Sequence, residues 1–260
     1  MSDISSVDST PRPIIFAPIC SHKSYGLLEK AIPHIAESFK NHNKDAVLLN
    51  IETDGDPARR KTLNSMRRPN KSLPSLKLLN NFDLNLVCGD YSVNFDAKHI
   101  VKRIRSCIIS PTRSILLSKV HLNSRHVEML FKSNKIPQAT NLLNPRDKQN
   151  VPMAVSLLRY IHELTIGTYD STNPFEKDIF NELKLLGIIS SLILSIFTIL
   201  NISLIDQLLN MSHLGHLLLF IFRRYKTKFM TNNLYSDLQS TIADAFVVAA
   251  KFQQKGNIIN

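Results

Sequence analysis

Two carboxylates, Asp54 and Asp96, each follow a short apolar run of strand length. Phosphoryl transfer by two metal ions needs several carboxylates on rigid strands, because Mg²⁺ prefers oxygen ligands and must be held near the reacting phosphate. An Asp at the far edge of a buried strand is placed for that work, although such residues are also common turn formers. Asp54 is therefore the candidate metal ligand, with Asp96 the weaker one. His99 stands three residues after Asp96. The pair reads either as an Asp-x-x-His ligand set or as a helix cap with the histidine in the first turn, and the cap is the favoured reading. His213 and His216 form a second close pair without a third ligand at suitable spacing, so they read as ordinary helix residues. Cys20, Cys88 and Cys107 are far apart and form no CxxC pair. That excludes a zinc knuckle or a disulfide framework and makes a reducing compartment the default. P-loop, dinucleotide, nucleophile-elbow and zincin motifs are absent from the sequence.

The positive charge is uneven. Lys and Arg number 32 against 21 acidic residues over 260 positions, a net charge of +11. Residues 1–56 carry 5 basic and 8 acidic side chains, whereas 57–105 carry 11 basic and 3 acidic. Arg59, Arg60, Lys61, Lys98, Lys102, Arg103 and Arg105 belong to this block and are the candidate contacts to a polyanion. The competing reading is a solvated basic face.

The elements that must position these groups follow from periodicity. Residues 12–17 predict a short buried strand, and 25–41 an amphipathic helix containing Pro33, where it kinks or starts. The apolar run 46–51 predicts a strand buried on both faces, leading into a turn-rich edge at 53–57. A basic helix is expected at 58–66, then a polar loop through Pro74, then strands at 84–87 and 91–95. Ile100, Val101, Ile104, Cys107 and Ile108 repeat at helical spacing over 97–109, and Pro111 stops that helix. Beyond it only helices are expected, over 124–134, 147–163, 174–200, 203–225 and 234–251. Scarce Gly and absent Trp also favour helices over a turn-rich β-barrel. The first 13 residues are polar and lack the apolar core of a signal peptide.

Residues 185–205 carry no charge, a length that could span a bilayer. Ser190, Ser191, Ser195, Thr198, Asn201 and Ser203 interrupt the run, so a buried helix broken near Asn201, its hydroxyls bonded to neighbouring helices, is the expectation. A membrane partner is not expected.

Five segments in order carry a family resemblance. Residues 51–63 (IETDGDPARRKTL) resemble the SDG-x-x-x-RR-x-AL element of transposase-like proteins numerous in fungal genomes. Residues 95–105 (FDAKHIVKRIR) resemble their D-x-KH-x-x-KR-x-RN signature, itself similar to an element of P-element and THAP-type transposases. Residues 143–151 (LNPRDKQNV) match an NPxDKQxV box, and 206–212 and 233–238 match two later segments. The resemblance implies a partial RNase H-like core interrupted by a large helical insertion. The fold class is then α/β followed by all-α, with an α/β part over 1–110 and an all-helical insertion over 111–260.

On the same resemblance Asp54 matches the second catalytic acid, the first would precede this chain and the last would follow it, so Asp54 would be vestigial. His99 is part of the family motif. Mg²⁺ is implied by the family, yet no cofactor is expected for this chain. Asn94 and Ser106 depart from the pattern, standing for another acid and an Asn. The function so implied is a catalytically incomplete, nuclear, transposon-derived protein with residual sequence-indifferent DNA binding. A domesticated nucleic-acid or protein interaction module is the alternative, and a membrane-associated protein anchored by 185–205 a third.

Overall fold

The structure, a computed structural model, describes residues 24–42, 50–53, 60, 87–88, 91–199 and 201–254. Helix α1 (Ser24–His42) runs through Pro33 without interruption. Strands β1 (Asn50–Thr53), β2 (Val87–Cys88) and β3 (Tyr91–Phe95) form a three-stranded sheet in the order β1-β3-β2. The β1–β3 pair is parallel, with Thr53 opposite Phe95, and the β2–β3 pair is antiparallel. Helix α2 (Ala97–Ile109) starts at once after β3. A two-residue ribbon, β4 (Ile115–Leu116) with β5 (His121–Leu122), separates it from the helices α3 (Ser124–Ser133), α4 (Ala139–Leu142), α5 (Val151–Ile166), α6 (Pro174–Phe197) and α7 (Leu204–Tyr225). A 3₁₀ turn (Lys226–Lys228) leads to α8 (Asn232–Gln254).

Short polar side chains set the helix starts. Asn123, Asn150, Asn173 and Ser203 each accept a hydrogen bond from a backbone N–H of the turn that follows. Pro152 and Pro174 occupy first-turn positions of α5 and α6, where the missing N–H costs nothing.

The expected α/β class is overturned. The described residues are mostly helical, at 72% helix, and the strands among them are short. The physical reason lies in the length of the helical patterns beside the short strands. The three-stranded sheet is built from Asn50–Thr53, Val87–Cys88 and Tyr91–Phe95, and the remainder of the runs 46–51 and 84–87 lies outside the described residues. Short apolar runs do not distinguish a sheet from buried connections, and long 3.6-residue patterns dominate here. The expected strand at 12–17 and basic helix at 58–66 lie outside the described residues, apart from Arg60.

One buried cluster extends from Phe95 to Ile242, so α2, α3, α5, α6, α7 and α8 share a core across residue 110. Helix α8 returns from the far end of the chain to pack on β3 and α2. Helices α5 and α6 make the most intimate pair. A Cβ placed on Gly187 would come within 2.0 Å of the Thr165 hydroxyl oxygen and 2.8 Å of its Cβ. Gly187→Ala is thus expected to destabilise the fold by about 1–3 kcal/mol through overpacking. Denaturant melts check this, with Thr165→Ala in the same chain recovering part of the loss. An unchanged midpoint for Gly187→Ala would rule out the close approach.

The uncharged stretch 185–205 breaks as its sequence suggests, between Phe197 and Leu204. Its hydroxyls do not bridge helices: Ser195 and Thr198 turn back to the carbonyls of Leu192 and Leu194, and the buried Ser190 hydroxyl has no hydrogen-bond partner among the described residues. Both α6 and the stretch Leu204–Lys228 are long and apolar enough to cross a membrane by length and composition. They differ in placement, since Leu183, Leu186, Ile189, Ile193 and Ile196 of α6 are buried in the shared core. Helix α7 buries only Met211, Leu214, Gly215, Leu218 and Ile221 and exposes its opposite side.

Candidate nucleic-acid interface

Helix α2 organises the candidate site. It begins where the parallel strands β1 and β3 end side by side, and the Asp96 amide donates to the Thr53 carbonyl at 2.9 Å. Asp96 caps the helix: one carboxylate oxygen accepts from the Lys98 amide at 2.8 Å, and the other lies 2.7 Å from Nδ1 of His99. Burial alone would raise the Asp96 carboxyl, but the hydrogen bonds from His99 and Lys98, with their charges, outweigh it and hold the group below its ordinary value of 3.8. The Asp96–His99 pair is therefore a cap with its histidine in the first turn, the reading favoured over a ligand set. No group of three His, Cys, Asp or Glu side chains able to hold a metal occurs among the described residues. Asp54, Arg59 and Lys61 lie outside them.

The basic residues of α2 divide by helical phase. Lys98 is exposed and Lys102 half-buried, with its ammonium donating to the Gln149 side-chain oxygen at 2.9 Å. Arg103 donates instead to Asp237 of α8, and Arg60 grips the same carboxylate with two nitrogens. Asp237 is fully buried, whereas the Arg60 and Arg103 side chains remain 14% and 34% exposed. Arg60 also lies over the Phe95 ring, 4.9 Å from its centroid.

Arg105 faces inward, only 1% exposed. Its guanidinium donates to the carbonyls of Leu142, at 3.0 and 3.1 Å, and of Asp147, with longer bonds to those of Asn141 and Asn144. Burial lowers its pKa and the charge of Asp147 partly restores it. Expected at the sequence level to meet a polyanion, Arg105 thus ties α2 to the loop at 141–147. Its five donors match a turn that presents several carbonyls at once.

These bonds connect segments that are distant in sequence. Arg60 from 51–63 and Arg103 from 95–105 meet Asp237 from 233–238, and Arg105 and Lys102 hold 143–151 against α2. Four of the five motif segments therefore form one bonded network. The chain matches no family model, no curated protein and no solved structure.

The arrangement leaves a particular set of cations on the surface. With Arg105 buried and Arg60 and Arg103 engaged by Asp237, the cations near α2 that meet solvent among the described residues are the exposed Lys98, the half-buried Lys102 and those of the docked loop. That loop exposes Arg146 and Lys148, which the charge block over 57–105 did not include. The signal for them was present in the sequence, since both sit inside the NPRDKQNV box. Chemically, such a set can neutralise phosphates.

Proposed function

We propose that this chain is a transposase-like protein that holds DNA through phosphate contacts and carries out no strand cleavage of its own, acting in the nucleus. The observation that carries the reading is the convergence of the motif segments on α2. Residues that carry the resemblance bond to one another, as expected if they came from one ancestral arrangement. The exposed Lys98, Arg146 and Lys148, with the half-buried Lys102, support the DNA contact, and phosphate contacts of this kind are indifferent to sequence. The commitment of the Asp96 carboxylate to the cap and to His99 argues against its recruitment to a two-metal site, which needs open carboxylates on a dication.

The test is DNA binding across a salt series, on duplexes of unrelated sequence. Lys98→Glu with Lys148→Glu is expected to weaken binding alike on all of them and to flatten the dependence of affinity on salt by about one counterion for each lysine replaced. Both side chains are exposed, so folding is preserved. Failure of the unaltered protein to bind at low ionic strength sinks the proposal. So does Mg²⁺-dependent nicking of supercoiled DNA that disappears in Asp54→Ala.

A further inference from the structure

The side of α7 turned away from the core shows a regular order. Asp206, Leu209, His213, His216, Phe220 and Arg223 are all exposed, and their spacings of three and four residues alternate, as along the seam of a coiled coil. Leu209 is 51% exposed and Phe220 67%, with Ile205 beside them at 61%. The core side of the same helix is satisfied by Met211, Leu214, Leu218 and Ile221, so Leu209 and Phe220 of this second stripe add nothing to the core of one chain.

We propose that this seam is a homodimer surface, on which α7 packs antiparallel against α7 of a second copy about a two-fold axis. The order of the side chains selects that occupant. Read in either direction the seam runs charge, apolar, imidazole, imidazole, apolar, charge, with opposite charges at its two ends. Reversing one helix against the other sets Leu209 against Phe220 of the partner copy and His213 against His216. The same register sets Asp206 against Arg223, so each apolar layer meets an apolar layer and each acid meets a base. A two-fold operator makes every such match twice, as a self-complementary interface requires. Parallel pairing would set Asp206 on Asp206 and Arg223 on Arg223, which like-charge repulsion opposes. A lipid surface is a poorer partner, because an interfacial helix keeps its apolar face free of acidic and imidazole groups.

The experiment is sedimentation velocity on the whole chain over a wide concentration range. A reversible monomer–dimer equilibrium is expected. Phe220→Asp should abolish the dimer, and its exposure leaves the monomer folded, as circular dichroism would verify. Asp206→Arg and Arg223→Asp should each weaken association by about tenfold or more, because each places like charges in both end layers. Combined in one chain, the two changes restore opposite charges and should return the affinity toward that of the unaltered protein. A chain that stays monomeric at every concentration overturns the proposal, as does a double variant no tighter than the singles. Binding to phosphatidylcholine vesicles, lost in Phe220→Asp and unaccompanied by any dimer, would assign the stripe to lipid instead.

Discussion

Replacing Asp237 with alanine is expected to destabilise the protein by about 3–5 kcal/mol, a large share of the total stability of a chain this size. The carboxylate is fully buried on α8 and accepts from both Arg60 and Arg103. Removing it leaves two guanidinium groups partly withdrawn from water with their shared anion gone. The lesion also falls where it matters for the whole chain. Helix α8 is the last described element, and its contact with β3 and α2 joins residues far apart in sequence. Asp237→Asn keeps the size and one acceptor while removing the charge, so it should fall between the original and Asp237→Ala. Urea denaturation measures both. A loss below about 1 kcal/mol for Asp237→Ala would mean that the pair is no more than a surface salt bridge.

Helix positions were legible in the sequence because their signals are local. Residues 97–109 form α2 within the predicted limits, since Asp96 supplies the cap, Pro111 bars continuation and the apolar stripe keeps one phase between them. Ser203 announces α7 in the same way. The helix expected from 147 instead starts at Val151, because Arg105 holds Asp147 in the preceding loop, a contact between residues far apart in sequence. The fold class differs because long helices make up most of the described residues, beside strands of five residues at most.

The buried charges were illegible for a different reason: an arginine or an acid looks the same in sequence whether solvated or enclosed. Phase nonetheless carried a usable signal. Arg105 lies four residues from Val101 and three from Ile108, on the apolar stripe of α2. Glu182 lies three residues from Ile179 and four from Leu186, and Asp237 three from Leu234. A charge in phase with an apolar stripe is either an error of assignment or a bonded core residue. All three here are bonded core residues. Charge counting over 57–105 therefore placed Arg105 in a surface block, where helical phase would have placed it in the core.

Glu182 carries the second large effect. From α6, 3% exposed, it accepts hydrogen bonds from four successive backbone amides, those of Leu117, Ser118, Lys119 and Val120. A run of N–H groups converging on one point concentrates partial positive charge, and only an anion with two oxygens can satisfy all four donors. Glu182→Ala leaves those donors without acceptors in a site closed to most solvent, for a loss of about 3 kcal/mol or more. Glu182→Gln is expected to do nearly as badly, although its size is right, because its NH₂ group would point donor against donor. The tip of the β4–β5 ribbon retains a second tie, from the Tyr225 hydroxyl to the Ser118 carbonyl at 2.7 Å. Tyr225→Phe removes one exposed bond and should change stability by no more than about 1 kcal/mol. Hydrogen exchange separates a local from a global consequence. In Glu182→Gln the amides of residues 117–120 should lose more protection than those of α8, because their acceptor is the group that changed. Equal losses in both places would mean that Glu182 supports the core as a whole, and unchanged protection at 117–120 would show that the carboxylate does not hold the loop.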